Sequence, residues 1–359
     1  MSTTPGPPDH ELVDRFTVAF AEVVEGDAPA ALVVRRGDRV LVDLASGHDR
    51  EGRSFTSDRP VFLYSAVKPV AALAALTAVA AGELDLDQPV AATWPAFGAH
   101  GRDGVTVADA LAHTAAVPGW RPAPTADQLL DRDRAIEALV DQASWWPVGE
   151  PGEHATSYGH VVDGILRHAT GADVLAWADR ATSATGTGLT LVPGAGARRP
   201  APLEDPAGAW RDEHLAAEGP MGELLREPPE LLDVDWVNGP GRDLVAPAVT
   251  GYGSAHDLAG LWAWWSGDGG ASHLGVDLRD RSVRAHVDGH DHVLDRPVRW
   301  GLGPQLDVDG YGMGGVGGCV GWYEPARDLA IGFTTPRVTL SSRWDALDDA
   351  IDAVIDATS

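Results

Sequence analysis

Cysteine, lysine and long apolar runs are all scarce in this chain of 359 residues. The single cysteine, Cys319, excludes an internal disulfide and is typical of a reducing compartment. No run reaches the roughly 18 apolar residues that a membrane-spanning helix needs, and the alanine-rich stretch 70–81 is too short. Residues 1–15 show neither a basic start nor an apolar stretch before a small-residue cleavage site. These absences predict a cytoplasmic protein.

Lys68 is the one lysine among 27 basic residues, and the others are all arginine. Such a bias indicates a GC-rich coding sequence, in which arginine replaces lysine wherever arginine can do the same work. Arginine keeps its proton in proteins, whereas a partly desolvated lysine can lose it. Lys68 is therefore a candidate base.

Acidic residues outnumber basic ones, and the net charge is −26 at pH 7. An acidic surface repels nucleic acid and anionic membranes, so neither is an expected partner. The same charge favours solubility, and it would also attract cationic substrates.

Strand patterns lie near both ends of the chain, and helical patterns lie between them. Helical spacing covers 11–24, and two strands in 31–44 meet at a Gly-Asp turn. Helices are predicted at 65–81, 106–113, 133–143, 160–168, 172–181 and 344–355, strands at 298–306, 319–324 and 329–335, and loops at 186–207 and 219–248. This pattern predicts an α+β fold with a sheet lobe (1–64 plus 295–359), a mainly helical lobe (65–294) and an active site between them.

Ser65 and Lys68 form an S-x-x-K pattern at the start of the predicted helix 65–81. Their i, i+3 spacing brings both side chains to one helical face. A serine hydroxyl becomes a good nucleophile when a base removes its proton, and a neutral lysine amine can do so. The same S-x-x-K pattern would also arise from a serine that only caps the helix and a lysine that only lies on the surface. The helix-start position and the uniqueness of Lys68 favour a nucleophile and its base.

Several longer motifs resemble the penicillin-binding-type serine hydrolases, which include class C β-lactamases, D,D-peptidases and family VIII carboxylesterases. They are LYSAVKPVAALAAL (63–76), GELDLDQPV (82–90), GVTVADALAHTAAVPGW (104–120), WGLGPQL (300–306) and MGGVGGCVGWYEPARDLAIGF (313–333). The motifs span most of the chain in the expected order. The resemblance implies a β-lactamase/transpeptidase-like fold with an antiparallel sheet flanked by helices.

The resemblance also implies how the site works. Ser65 would be acylated, and Lys68 and a tyrosine would carry protons. Two backbone N–H groups, those of Ser65 and Val316, would form the oxyanion hole, with Gly315 in the substrate-binding triplet. His113 would be a structural histidine in the loop after its helix.

Met313 departs from the family pattern, because the triplet that it begins usually starts with lysine, histidine or tryptophan. A thioether cannot hold a substrate carboxylate, and it suits an apolar acyl or aromatic group better. Met313 is thus expected to bind substrate, but not the carboxylate of a β-lactam or peptide.

The third catalytic group has two candidate positions. Tyr158, in Tyr158-Gly159-His160, fills the usual tyrosine motif if about one helical turn is missing after it. An ungapped match instead puts Glu153 at the tyrosine position. Tyr158 is the favoured proton carrier, and Glu153 and His160 are alternatives that could also act as a base.

Two patterns suggest cofactors that the context does not favour. The glycines of 312–317 match G-x-G-x-x-G, but a strand follows where a dinucleotide site needs a helix. His286, His290 and His292 lie among aspartates, yet the stretch reads as an exposed hairpin tip. We therefore expect neither a cofactor nor a metal.

The sequence thus predicts acyl transfer through an acyl-enzyme on Ser65, either as a carboxylesterase or as a transacylase that passes the acyl group to an amine or alcohol, for example in natural-product tailoring. The substrate would be a small ester or amide. A β-lactamase or D,D-peptidase, and a non-catalytic binding protein that retains the fold, are the alternatives.

Overall fold

A computed structural model describes residues 9–24, 26–192 and 198–338. The strands are β1 (Ala30–Arg36), β2 (Arg39–Ser46), β3 (Val61–Phe62), β4 (Tyr252–Gly253), β5 (Val287–Asp291), β6 (Arg296–Trp300), β7 (Gln305–Leu306), β8 (Tyr311–Gly314), β9 (Val320–Glu324) and β10 (Leu329–Thr334). The helices are α1 (Asp9–Val23), α2 (Lys68–Ala80), α3 (Val107–Leu111), α4 (Ala126–Leu130), α5 (Arg132–Asp141), α6 (Tyr158–Thr170), α7 (Val174–Thr185), α8 (Trp210–Ala216), α9 (Gly219–Leu224), α10 (Val234–Asn238), α11 (Ala255–Ser266), α12 (Asp268–Leu274) and α13 (Val276–Ser282).

Both ends of the described chain build one antiparallel sheet with the strand order β2-β1-β10-β9-β8-β7-β6-β5. Strand β1 pairs with β10 from Ala31↔Thr334 to Arg35↔Ala330, so the first strand of the chain lies beside the last described one. Strands β3 and β4 form a separate small ladder next to Ser65. The predicted α+β fold, with a helical insertion between the strands of the two chain ends, is confirmed.

The sheet is covered by helices on both faces. Helix α1 buries its apolar stripe, including Phe16 and Phe20, against the residues of β1 and β10 that point to one face. Helix α11 packs so closely on the other face that a Cβ on Gly332 would lie 2.1 Å from the Ala255 carbonyl oxygen. Helix α2 is alanine-rich and buried on all sides, which is typical of a core helix and not of a surface one.

Several segments differ from the sequence prediction. Stretch 219–248, predicted as loop, contains the short helices α9 and α10, each only one or two turns long and without a clear amphipathic period. Strands β5 and β8 were not predicted, because their polar and glycine-rich residues lack the usual strand pattern. Strand β5 belongs to the sheet, although the predicted lobe boundary at 295 leaves it outside. The predicted helix 344–355 lies outside the described residues.

Within the described part of the chain, none of the helices is both long enough and apolar enough to cross a membrane.

Candidate active site

Ser65 lies in a short 3₁₀ turn, Tyr64–Val67, that leads directly into helix α2. The preceding residue, Tyr64, has a positive φ of 49°, which is unusual for a bulky residue. Its ring packs edge-on against Phe62, with 4.7 Å between centroids, and its hydroxyl donates to the Leu231 carbonyl oxygen at 3.1 Å. These contacts hold the strained residue, and Ser65 beside it is partly exposed.

Lys68 begins helix α2 and is completely buried. Its Nζ lies 2.5 Å from Ser65 Oγ and 3.0 Å from Glu153 Oε1. Burial lowers the pKa of Lys68, because a charged amine loses its hydration, while the charge and hydrogen bond of Glu153 oppose this shift. The amine therefore lies at hydrogen-bond distance from the serine hydroxyl, with a pKa below that of an exposed lysine.

Glu153 lies in the loop that precedes α6, and its side chain is nearly buried. Its backbone N–H donates to Asp291 Oδ1 at 3.1 Å. Asp291, at the end of β5, is fully buried, and its carboxylate also accepts from the indole N–H of Trp300 and from the amides of Val293 and Leu294. A carboxylate that accepts four N–H groups is a rigid anchor, so the sheet fixes the loop that carries Glu153.

Two buried histidines support the same loop. The His154 amide donates to Nδ1 of His113 at 3.0 Å, and the His113 carbonyl accepts from the Gly152 amide at 3.0 Å. The His113 ring packs against Trp300 at 4.3 Å between centroids. Burial, followed by the charges of His154 and Lys68, holds the pKa of His113 well below its usual range. Burial, followed by the charge of Lys68, lowers the pKa of His154 to about 3. Both rings are therefore neutral supports at physiological pH.

A glycine turn lies against the backbone of the nucleophile. A Cβ on Gly315 would lie 2.3 Å from the Leu63 carbonyl oxygen and 3.3 Å from the Ser65 nitrogen, so only glycine fits. The Gly315 amide donates to the Cys319 carbonyl at 2.8 Å, which closes the turn that carries Val316. Among the described residues, neither the Ser65 amide nor the Val316 amide has a hydrogen-bond partner.

Tyr158 and His160 are not brought to the Ser65–Lys68 pair. The Tyr158 hydroxyl is buried and donates to the Leu111 carbonyl at 3.1 Å, and burial raises its pKa. His160 packs edge-on against Trp120 at 5.1 Å, and burial followed by the nearby charges of two arginines lowers its pKa to about 3. The geometry thus favours Glu153, the alternative position, because helix α6 begins only at Tyr158 and the loop before it reaches Lys68.

Met313 also departs from its predicted place. Only 4% of its surface is exposed, and it packs in the main hydrophobic core from strand β8. The sequence prediction of a thioether that contacts substrate is not supported by this position. Its neighbours in the triplet are less buried, since Gly314 is exposed and Gly315 is partly exposed.

The histidines of the β5–β6 hairpin each face a different carboxylate. His286 pairs with Asp109, His290 with Asp295 and His292 with Glu150. No group of three or more potential ligands that could hold a metal ion occurs within residues 9–24, 26–192 and 198–338. The glycines of 312–317 continue from a strand into a turn, which is not the setting of a dinucleotide site.

Sequence reasoning missed Asp291, Trp300 and the orienting role of the His113 ring nitrogen. The stretch around His286, His290 and His292, which the sequence predicts to be an exposed hairpin tip, includes Asp291, and the prediction is wrong for this residue because it is fully buried. The available signal was the tryptophan of WGLGPQL, since a buried indole N–H needs an acceptor and aspartates precede it by a few residues.

Comparisons with known proteins identify the family and the fold. The family model described as Beta-lactamase matches residues 19–354. The chain is 27% identical to the esterase/beta-lactamase LipL of Mycobacterium tuberculosis, over 89% of this chain and 80% of LipL. A penicillin-binding protein homologue from Caulobacter crescentus superimposes with a TM-score of 0.80 at 24% identity, covering 99% of this chain and 100% of that one. A family VIII carboxylesterase gives a TM-score of 0.79 at 21% identity, covering 98% and 99%.

Proposed function

This chain belongs to the β-lactamase family, and we propose that it is a carboxylesterase that works through an acyl-enzyme on Ser65. The observation that carries the proposal is the buried Lys68 amine, 2.5 Å from Ser65 Oγ and 3.0 Å from Glu153 Oε1. A binding protein that merely kept the fold would gain nothing from burying an ammonium group in this contact, because burial of a charge is costly.

Acylation begins with proton transfer. Lys68, neutral after it passes a proton to Glu153, takes the proton of the Ser65 hydroxyl as Oγ attacks the carbonyl carbon of the ester. The carbonyl oxygen becomes an oxyanion, which the amides of Ser65 and Val316 stabilise. The bond to the alcohol oxygen then breaks, and the alcohol leaves with the proton from Lys68.

Deacylation repeats these steps with a second nucleophile. Water, or an alcohol or amine acceptor, gives its proton to the Lys68–Glu153 pair and attacks the acyl carbon, and Ser65 Oγ recovers its proton as it leaves. Hydrolysis is the proposed reaction, and transfer to an acceptor is the second candidate. Apolar clusters that include Val316 and Ala155, the latter two residues after Glu153, support transfer, because exclusion of water favours another nucleophile.

The test of acyl-enzyme formation is intact mass spectrometry after a short incubation with activated esters. Wild-type protein is expected to gain one acyl mass, and Ser65→Ala is expected to gain none and to hydrolyse no ester. An adduct on both proteins, or ester turnover that survives in Ser65→Ala, would contradict the proposal. Adding a primary alcohol to the assay separates the two reactions, since transfer yields a new ester and hydrolysis yields only the acid.

A β-lactamase or D,D-peptidase is the alternative function, since LipL has both esterase and beta-lactamase in its name. β-Lactam and peptide substrates have a carboxylate, and Met313 stands where the family usually has lysine, histidine or tryptophan. We expect slow or no nitrocefin turnover and no stable labelling by penicillin. Rapid turnover of nitrocefin, lost in Ser65→Ala, would make the alternative correct.

A further inference from the structure

Three large apolar side chains remain partly exposed together beside the proposed site. Trp145 and Trp146 follow helix α5, and Met221 lies on helix α9. They form a small hydrophobic cluster, separate from the main core, around Ala155, Leu224 and Val293. We call these three residues, Trp145, Trp146 and Met221, the Trp–Met patch.

The Trp–Met patch is built against the loop that carries Glu153. The Trp146 ring lies against Gly152, where a Cβ would be 2.1 Å from its Cζ2 atom. Ala155, two residues after Glu153, belongs to the same cluster. The patch is therefore continuous with the loop whose carboxylate contacts Lys68.

Polar side chains lie over both rings of the patch, but each of them already has a partner. The Trp146 ring stacks on His292 at 4.9 Å between centroids, and His292 pairs with Glu150. The Trp145 indole N–H donates to Gln142 Oε1 at 3.2 Å, and that of Trp146 donates to the Glu150 carbonyl at 3.3 Å. The Arg121 guanidinium lies 3.4 Å from the centroid of the Trp145 ring, but its charge is already shared with Glu223 through two hydrogen bonds of 2.7 Å. A ligand on this surface would meet hydrophobic area and not an unpaired charge.

Proton transfer decides which part of an ester faces the patch. The carbonyl oxygen must lie at the amides of Ser65 and Val316, whereas the alcohol oxygen must lie where Lys68 and Glu153 can protonate it. The alcohol portion therefore leaves on the Glu153 side of the cleft. The Trp–Met patch adjoins this side.

We propose that the Trp–Met patch is the subsite for the alcohol portion of the ester and that it selects aryl and long-chain alkyl alcohols. The inference rests on the proposed esterase function. By microscopic reversibility, the same subsite receives an apolar acceptor alcohol if the acyl group is transferred. The acyl portion is not selected by these residues.

The experiment uses a series of acetate esters, which share one acyl group and differ only in the alcohol: ethyl, hexyl, phenyl and 2-naphthyl acetate. Trp145→Ala and Met221→Ala are each expected to lower kcat/KM for 2-naphthyl acetate by roughly fivefold to tenfold, through lost burial of the ring, with a change for ethyl acetate below about twofold. Trp264→Ala, a partly exposed tryptophan on α11 that packs near His273, is the matched control and should leave the naphthyl-to-ethyl ratio unchanged.

A second series uses ethyl esters, which share the ethanol portion and differ in an acyl chain of two to eight carbons. The variants are expected to leave the dependence on acyl length as in the wild type. An equal loss of kcat/KM for all four acetates, or a loss that depends on acyl length, would overturn the assignment of the patch as the alcohol subsite. Acylation at Ser65, followed by mass spectrometry in each variant, reports on the proposed function separately, because a misassigned subsite leaves that adduct intact. Trp145→Leu replaces Trp145→Ala if the latter does not fold.

Discussion

At the scale of single residues, the unusual feature is that Lys68 pairs with a carboxylate. The resemblance implies a lysine and a tyrosine as proton carriers, and here Glu153 Oε1 is the group 3.0 Å from Nζ. A carboxylate lets the pair exchange one proton, since loss of the proton from Lys68 can be matched by its gain on Glu153. The two candidate positions for the third group are thus separable by mutation.

We expect Glu153→Gln to lower kcat by about 10²- to 10³-fold, because an amide cannot take the proton from Lys68. Tyr158→Phe is expected to keep kcat within about threefold and to cost roughly 1 kcal/mol of unfolding free energy, through loss of the hydrogen bond to the Leu111 carbonyl. Steady-state kinetics with one aryl acetate and urea unfolding measure both effects. Near-full activity of Glu153→Gln together with an inactive Tyr158→Phe would restore the tyrosine assignment.

The pH dependence of kcat/KM follows from the surroundings of Lys68. Burial lowers the pKa of Lys68, and Glu153 raises it again by its charge and its hydrogen bond. In the wild type, Lys68 becomes neutral by passing its proton to Glu153, whereas Glu153→Gln has no carboxylate to take that proton. The residual activity of the variant therefore needs an amine that is already neutral, and it should be lost as pH falls through the pKa of Lys68. Because burial lowers that pKa and no carboxylate raises it in the variant, the residual activity should reach its plateau below the usual lysine value of 10.5. Residual activity that does not depend on pH, or that rises only above the usual lysine pKa, would show that Lys68 is not the titrating base.

At the scale of elements, the sequence predicted best the segments whose pattern is set by burial on one face. Helices α1 and α6 and strands β9 and β10 were found within a few residues, because an amphipathic period or an apolar run specifies them locally. The proximity of Ser65 and Lys68 was predictable for the same reason, since a spacing of three residues at a helix start needs no tertiary information. Their side chains do contact each other, at 2.5 Å.

The loop elements of the site could not be predicted in the same way. Whether Glu153 or Tyr158 faces Lys68 depends on where the loop ends and α6 begins, and local propensity leaves that boundary open by several residues. Asp291 binds the Glu153 amide across 138 positions of sequence, which no local pattern can indicate. The resemblance puts Met313 in the substrate-binding triplet, but a motif match does not tell which face of strand β8 its side chain occupies, and that face is buried.

Asp291 offers a test of how strand β5 supports the site. Its carboxylate accepts four N–H groups, whereas the amide of Asp291→Asn could accept with only one oxygen, and its NH₂ group would oppose a donor such as the Trp300 indole. Asp291→Asn is therefore expected to lower the unfolding free energy by about 2–3 kcal/mol and to reduce kcat more than it raises KM.

Urea unfolding and steady-state kinetics check this prediction, and Asp295→Asn, at the exposed end of the same hairpin, is the control. That control should change both quantities little, since an exposed pair with His290 contributes little stability. If Asp291→Asn and Asp295→Asn changed the unfolding free energy and kcat equally, strand β5 would not anchor the loop of Glu153.

At the scale of the whole molecule, the sheet contributes Val316 and the helical insertion contributes Ser65, Lys68 and Glu153. This arrangement is consistent with a site between a sheet lobe and a helical lobe, a division that stays a prediction. The other global property is the net charge of −26. Net charge and the Trp–Met patch act on different stages, since the charge affects the encounter with substrate and the patch affects the bound state.

The acidic charge makes a prediction about substrate encounter. Acetylcholine and 3,3-dimethylbutyl acetate have nearly the same shape and differ by one positive charge. The field of the protein should raise the encounter rate of the cation alone, and salt screens that field over a Debye length that shrinks from about 30 Å at 0.01 M to about 10 Å at 0.1 M. We therefore expect kcat/KM for acetylcholine to fall by roughly threefold to tenfold between about 0.01 and 0.5 M NaCl, with the neutral ester unchanged. Stopped-flow or steady-state assays of both esters measure the ratio directly. A parallel response of the two esters would mean that the acidic surface serves solubility and does not steer substrates to Ser65.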